Sequence, residues 1–246
     1  MRKEHIFRVL TGPRIRGLLR RHNSVIEGWN DYWVKYYGKS IERDRLGYKE
    51  ARLQTLLAQA LDELNYDVIV QSYFDRAPLL RQSCDLFATK PNGVRRYWIE
   101  IKSQNVDRSG GYGGINLIRQ VLCDIGKMKA GKSNGDRVAI WIGLWGKADS
   151  IKDCISVRPS SSTFSIRISP GKLRKSCASG NTSQSKRKVR RLLASCGSGS
   201  VSQALNELRR WIKANGGMCE IIRVKGRNND VKRDWANYGI LCGIMN

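Results

Sequence analysis

The sequence predicts an α/β protein built around a sheet, and three observations carry that reading. Apolar side chains recur at helical spacing over 48–64 and 115–130. Strand-like runs rich in β-branched and aromatic residues occupy 66–73, 83–89, 95–103 and 138–145. The two kinds of segment interleave as helix, three strands, helix, strand. A length of 246 residues suits one medium domain with an appendage, since ~100–200 residues make a typical domain.

In chain order, Ser24 and Glu27 form a capping box, and Val25, Trp29, Tyr32/Trp33 and Tyr36 recur at helical spacing until Gly38. That aromatic stripe is read as a packing face, with stacking on bases as the alternative. The next helix, Tyr48 to Leu64, places Leu53, Leu57, Leu61 and Leu64 on one face, and Glu50 three residues earlier on the same inward side. YDVIVQSY (66–73) follows as a strand. SCDLFAT (83–89) and RRYWIEIKS (95–103) then form a hairpin around Pro91-Asn92-Gly93, where Asn-Gly favours a two-residue type I′ turn. Beyond the Gly-rich stretch 109–114, Ile118, Val121/Leu122, Ile125 and Met128 mark a helix. VAIWIGLW (138–145) is almost wholly apolar, as a strand covered on both faces should be.

Residues 154–169 are expected to form a hairpin across Pro159 to Ser162, and 170–200, rich in Ser, Gly and Lys/Arg without periodicity, a flexible basic arm. Ser200 and Gln203 form a capping box for a helix over Val201 to Ala214, with Gly216 after its end. EIIRVK and YGILCGI suggest short closing strands. The expected organisation is an N-terminal helical segment (1–46), a core (47–150) and a basic extension packed on it (151–246).

Charge is the outlier. The chain carries 45 Lys+Arg against 21 Asp+Glu, a formal +24, yet 41% of it is hydrophobic, which excludes a disordered basic tail. Residues 151–246 hold 19 basic and 5 acidic side chains, and Asp153 is the only acid between 151 and 200. Such one-sided charge repels itself unless a polyanion relieves it, so DNA or RNA is the expected partner. An anionic membrane surface ranks lower, because no strongly amphipathic basic helix is evident. With no run of ~18 apolar residues and an N-terminal apolar stretch too short for a signal peptide, a cytoplasmic location without membrane contact is expected. Seven cysteines, odd in number and without a CxxC pair, read as reduced buried thiols rather than a zinc site.

Within 95–103, side chains alternate, so Trp98, Glu100 and Lys102 share one sheet face while Tyr97, Ile99 and Ile101 share the other. A two-residue turn at Asn92-Gly93 sets Asp85 opposite Glu100, with β-carbons ~5 Å apart. Facing carboxylates repel unless one is protonated or a divalent cation lies between them, and hard oxygen donors suit Mg²⁺. An ordinary exposed Glu-Lys pair is the competing reading. Asp85 in register, apolar neighbours on both strands, Glu50 on the preceding helix and the basic chain favour chemistry.

This constellation resembles the PD-(D/E)XK nuclease superfamily. Asp85, fourteen intervening residues, then Glu100-Ile101-Lys102 match its pattern, with Glu50 at the position of a first-helix carboxylate and Cys84 where many members have proline. The resemblance spans roughly residues 48–145. It implies a restriction-endonuclease-like αβββαβ core with a central mixed sheet, and phosphodiester hydrolysis of DNA with Mg²⁺, for which Mn²⁺ would substitute. Asp85, Glu100 and the Ile101 carbonyl would hold the metal. Lys102 would act as a fixed charge orienting water, since neighbouring carboxylates should raise its pKa. Glu50 would bind a second metal, or else be a capping or salt-bridged helix residue.

Ser103, Gln104, Asn105, Arg108 and Tyr112 would enter the DNA groove. Lys172, Arg174, Lys175, Lys186, Arg187 and Lys188 would touch phosphates from the arm. Gln120 and Lys127 are further candidates to face the site, with packing or exposure as alternatives. Without a GxxxxGK[ST] motif no nucleotide cofactor is expected, and the chain looks most like a type II restriction endonuclease acting on duplex DNA as a homodimer. A structure-specific nuclease of the Holliday-junction resolvase or repair type, and a non-catalytic basic nucleic-acid-binding protein, are the alternatives.

Overall fold

The structure, a computed structural model, describes residues 4–21, 35, 50–74, 79, 82–91, 93–106, 113–156, 165–177, 182–193, 199–224 and 238–246. The aromatic helix expected over 24–37 lies outside the described residues apart from Lys35, as do Arg108 and Tyr112. The described chain is a mixed α/β arrangement around one six-stranded open sheet.

Two short helices open it, α1 (His5–Thr11) and α2 (residues 13–21). They bury Ile6, Phe7, Leu10, Ile15 and Leu19. Pro13 follows Gly12 at the start of α2, where its missing N–H costs no hydrogen bond. Helix α3 (Glu50–Asp62) then buries Leu53, Leu57 and Leu61, the expected stripe. Strands β1 (Asp67–Tyr73), β2 (Ser83–Thr89) and β3 (Arg96–Asn105) follow, then α4 (Gly113–Gly131) and β4 (Arg137–Trp145). The order expected for 47–150 is thus present.

Strands β1, β2 and β3 are antiparallel neighbours, β3 and β4 are parallel, and β4 pairs antiparallel with a strand from the end of the sequence. The β2–β3 register is the expected one, with Leu86 opposite Ile99 and Thr89 opposite Arg96. The turn is longer than expected. Pairing stops at Thr89–Arg96, and the Gly93 N–H donates to the Lys90 carbonyl. A six-residue connection with the same symmetry gives the same register as a two-residue one.

The second half departs further from expectation. Residues 148–156 form helix α5 (Ala148–Ser156), so no strand begins at 154, and 157–164 lie outside the described residues. The expected arm contains two helices, α6 (Pro170–Cys177) and α7 (Thr182–Leu192). They are held by few apolar contacts at i,i+4 spacing: Leu173 and Cys177 on α6, and Val189 with Leu193 at α7, are all buried in one core cluster with α4. Gly126 of α4 permits the close approach, since a β-carbon there would fall 2.5 Å from Cys177 Sγ and 3.1 Å from Leu173. Helix α8 (Val201–Ala214) has the capping box expected from Ser200 and Gln203. Strands β5 (Met218–Val224) and β6 (Tyr238–Met245) complete a sheet of order β1-β2-β3-β4-β6-β5.

Helices cover both faces. On one, α1, α2 and α3 pack over Leu86, Tyr97, Ile99, Ile101, Trp141 and Ile240; on the other, α4 to α8 pack over Trp98, Ile140, Ile142 and Leu241. A donated hydrogen bond from Trp141 Nε1 to the Leu10 carbonyl, 2.9 Å, ties the central strand to α1. The six described cysteines are buried and form no disulfide with one another. No helix among the described residues is long and apolar enough to cross a membrane.

Candidate functional site

The alternation read from the sequence holds on β3: Tyr97, Ile99 and Ile101 join the α1–α3 core, and Trp98 joins the opposite one. Glu100 and Lys102 therefore point toward α4. On β2 the alternation breaks. Leu86 and Ala88 belong to the α1–α3 core, whereas Cys84 belongs to the α4 side. The change of face occurs at Asp85. Ladder pairing with β3 ends one residue before it, at Leu86–Ile99, and its Oδ2 instead accepts the Ile101 N–H at 2.7 Å. On the other flank, Gln71 of β1, level with Asp85 in the register, has φ +54°, an uncommon conformation for a side-chain-bearing residue. The sheet is locally opened around one carboxylate.

Helix α3 braces that opening. Gln54 donates to the Asp85 carbonyl at 2.6 Å. One turn earlier, Glu50 begins the helix with its side chain 48% exposed and Oε2 4.0 Å from Lys102 Nζ. Its exposure puts it at the rim of the cluster rather than on the buried stripe of Leu53, Leu57 and Leu61.

Behind the rim lies a dense network. Lys102 Nζ is 3.1 Å from Asp124 Oδ2 and 3.3 Å from Glu100 Oε1, and it donates to the Ile101 carbonyl at 3.2 Å. Lys127 Nζ donates to both oxygens of Glu100, at 3.1 and 3.2 Å, and stands 3.6 Å from Asp124 Oδ1. Asp124 and Lys127 lie three apart on α4, so they share one helical face and meet β3 together. Glu100 is buried, with 6% exposure. Burial, reinforced by Asp124 and only partly offset by Lys127 and Lys102, pushes its carboxyl up to about 7. Burial also raises Glu50. For Lys102, burial acts downward but Asp124, Glu100 and Glu50 outweigh it and raise its pKa; Lys127 is raised similarly by Glu100 and Asp124. Both lysines are thus held as ammonium ions.

The structure brings Glu50, Asp85, Glu100, Ile101 and Lys102 together. It adds three residues the motif did not supply: Asp124, Lys127 as a full member, and Gln54. Asp124 is the only acidic residue of α4, three positions before a lysine, and that spacing was its signal. Ser103, Gln104 and Asn105, expected to contact DNA, lie on β3. They continue β3 in parallel pairing with Gly143, Leu144 and Trp145, since the ladder runs to the strand end. Lys172, Arg174 and Lys175 are exposed on α6, and Lys186, Arg187 and Lys188 on α7.

Among the described residues, no group of three or more His, Cys, Asp or Glu side chains gathers as a metal-ligand set. The cations present between the carboxylates are the two ammonium groups. The donor chemistry nonetheless fits a hard cation: Asp85, Glu100 and the Ile101 carbonyl offer oxygens only. No family model, curated protein or solved structure matches this chain.

Proposed function

We propose that this protein is a Mg²⁺-dependent DNA endonuclease with a restriction-endonuclease-like core, cutting duplex DNA at specific sequences in the cytoplasm as a homodimer. The observation that carries the reading is the convergence of Asp85, Glu100 and Lys102 where β2 and β3 part, beside Glu50 of the first core helix. The αβββαβ order, with β3 and β4 parallel, is also what that core requires.

Asp85, Glu100 and the Ile101 carbonyl would hold Mg²⁺, with Glu50 at the rim available for a second ion. Bound there, the ion supplies positive charge opposite a scissile phosphate. Lys102, fixed by Asp124 and charged, orients the attacking water and stabilises the charge that develops on phosphorus oxygens. Lys127 neutralises Glu100, and Gln54 holds the Asp85 backbone in its broken-ladder position.

Purified protein incubated with plasmid and phage DNA and Mg²⁺ should give discrete fragments with uniform ends on sequencing. Asp85→Ala and Glu100→Ala should abolish cutting while duplex binding survives, because removing an anion near a phosphate lowers repulsion. Wild-type cutting by either variant defeats the assignment. Cleavage confined to branched substrates would indicate a structure-specific nuclease instead. The saturation of Glu100 by two lysines favours a second reading, a non-catalytic nucleic-acid-binding protein stabilised by a buried ion network. Binding without Mg²⁺-dependent nicking on any substrate is its signature.

A further inference from the structure

A second feature of α4 lies outside this network. Between α4 and α7 a cavity of about 330 Å³ opens to solvent on one side. Its size falls at the lower end of small-ligand pockets, ~300–1,000 Å³. Four cationic side chains line it, Arg119 from α4 and Lys186, Arg187 and Arg190 from α7, with the amides of Asn116 and Gln120 beside them; among the described residues no acidic side chain lines it. Four cations around one hollow repel each other, so the arrangement needs an anion to complete it.

One atom makes the requirement specific. Arg119 Nε is buried and, among the described residues, has no hydrogen-bond partner. Buried polar atoms are nearly always satisfied, and an orphaned guanidinium N–H beside a cationic hollow is satisfied by an acceptor-rich ligand. A phosphate group offers several oxygens and the charge to face all four cations, and arginine forks match its geometry. Position narrows the source. Gln120 precedes Asp124 by four residues, about 6 Å along the helix axis, so the cavity opens one helical turn from the carboxylate–lysine cluster. Lys188 and Arg191 are further exposed basic residues of α7.

We propose that the cavity between α4 and α7 is a binding site for a nucleotide phosphate, supplied by a nucleic-acid strand that passes the Asp124–Lys127 side of α4. The site concerns binding, and it holds whether or not the cluster cuts.

The test measures fluorescence anisotropy of a short labelled DNA duplex on the full chain in EDTA, over a salt series, so that divalent-dependent cleavage plays no part. Lys186→Gln/Arg187→Gln, both exposed on α7, and Arg119→Gln are compared with Lys152→Gln/Lys213→Gln. This last pair removes the same charge as the α7 pair from exposed positions on α5 and α8 that do not line the cavity. Each cavity variant should lose about tenfold in affinity, the size of a lost charge-assisted contact, and lower the log–log salt slope by about 1. The control should keep the wild-type slope. Unfolding midpoints within the range of the control establish that the variants are folded. A deoxynucleoside monophosphate and inorganic phosphate, added as competitors, identify the source. Failure of both to displace the duplex assigns the phosphate to a strand, whereas displacement by the monophosphate in wild type but not in Arg119→Gln assigns the site to a free nucleotide. Equal loss in the cavity and control variants overturns the proposal, since binding then reflects net charge alone.

Discussion

At the scale of residues, the cluster couples ionisation to both stability and chemistry. Glu100 titrates near 7 in the folded chain against 4.5 for a free carboxyl, so the native state binds its proton more tightly than the unfolded chain. The stability this confers is complete below pH 4.5 and is lost as pH rises through about 7. Relative to Glu100→Gln, the wild type should therefore lose melting temperature between pH 5 and 8; parallel curves for the two proteins would contradict the assignment. Lys102 supplies a second test. As a fixed charge it should tolerate Lys102→Arg with reduced but measurable cutting, whereas Lys102→Met should lose nearly all, because arginine keeps the charge and cannot serve as a base. A dead Lys102→Arg that still binds DNA and metal would make Lys102 the proton acceptor. Glu100 and Lys102 were legible because strand alternation is a local rule, and Asp85 because hairpin symmetry brings it level with them, although the ladder opens there instead of pairing it with Glu100. Asp124 and Gln54 were not, because their roles depend on which helix faces which strand, and no local rule fixes that.

At the scale of elements, legibility followed the density of apolar residues. Helix α8 carries eight buried positions in fourteen and a capping box, and its bounds are those expected. The segment over α6 and α7 offers only the i,i+4 pairs Leu173/Cys177 and Val189/Leu193 amid lysine, arginine and serine, too thin a stripe to separate from an arm. Yet those few contacts hold both helices on α4. Leu173→Ala should thus cost about 2–5 kcal/mol in denaturant unfolding, as for other fully buried leucines, and a cost near zero would mean that α6 is not docked in solution. Removing 172–191 outright would strip part of the core and not merely an arm, so charge substitutions are the cleaner probe of DNA contact. The same economy explains why +24 is tolerated: the exposed faces of α6 and α7 spread much of it over a surface open to counterions.

At the scale of the whole molecule, the sheet order was the least legible feature, since strand adjacency is set by non-local pairing. Strand β6 lies between β4 and β5, so a central position goes to the strand that comes latest in the sequence among those described. Every residue from Tyr238 to Met245 is buried, and the continuous apolar run YGILCGI was the one hint of an interior strand. Removing residues 238–246 should leave the β4 edge unpaired, with Val138 to Trp145 as an exposed apolar template, and give insoluble protein. A soluble monomer with intact far-ultraviolet dichroism would show that β1–β4 stand alone. Synthesis on the ribosome meets the same geometry. Strand β4 emerges beside β3 but must wait for residues 146–237 to be made before its other neighbour exists. Until then the nascent chain carries the cluster residues on a half-sheet with a sticky rim. The β4 edge thus stays open until residues 238–245 have been made, and a chain stalled before them carries that edge as an aggregation surface.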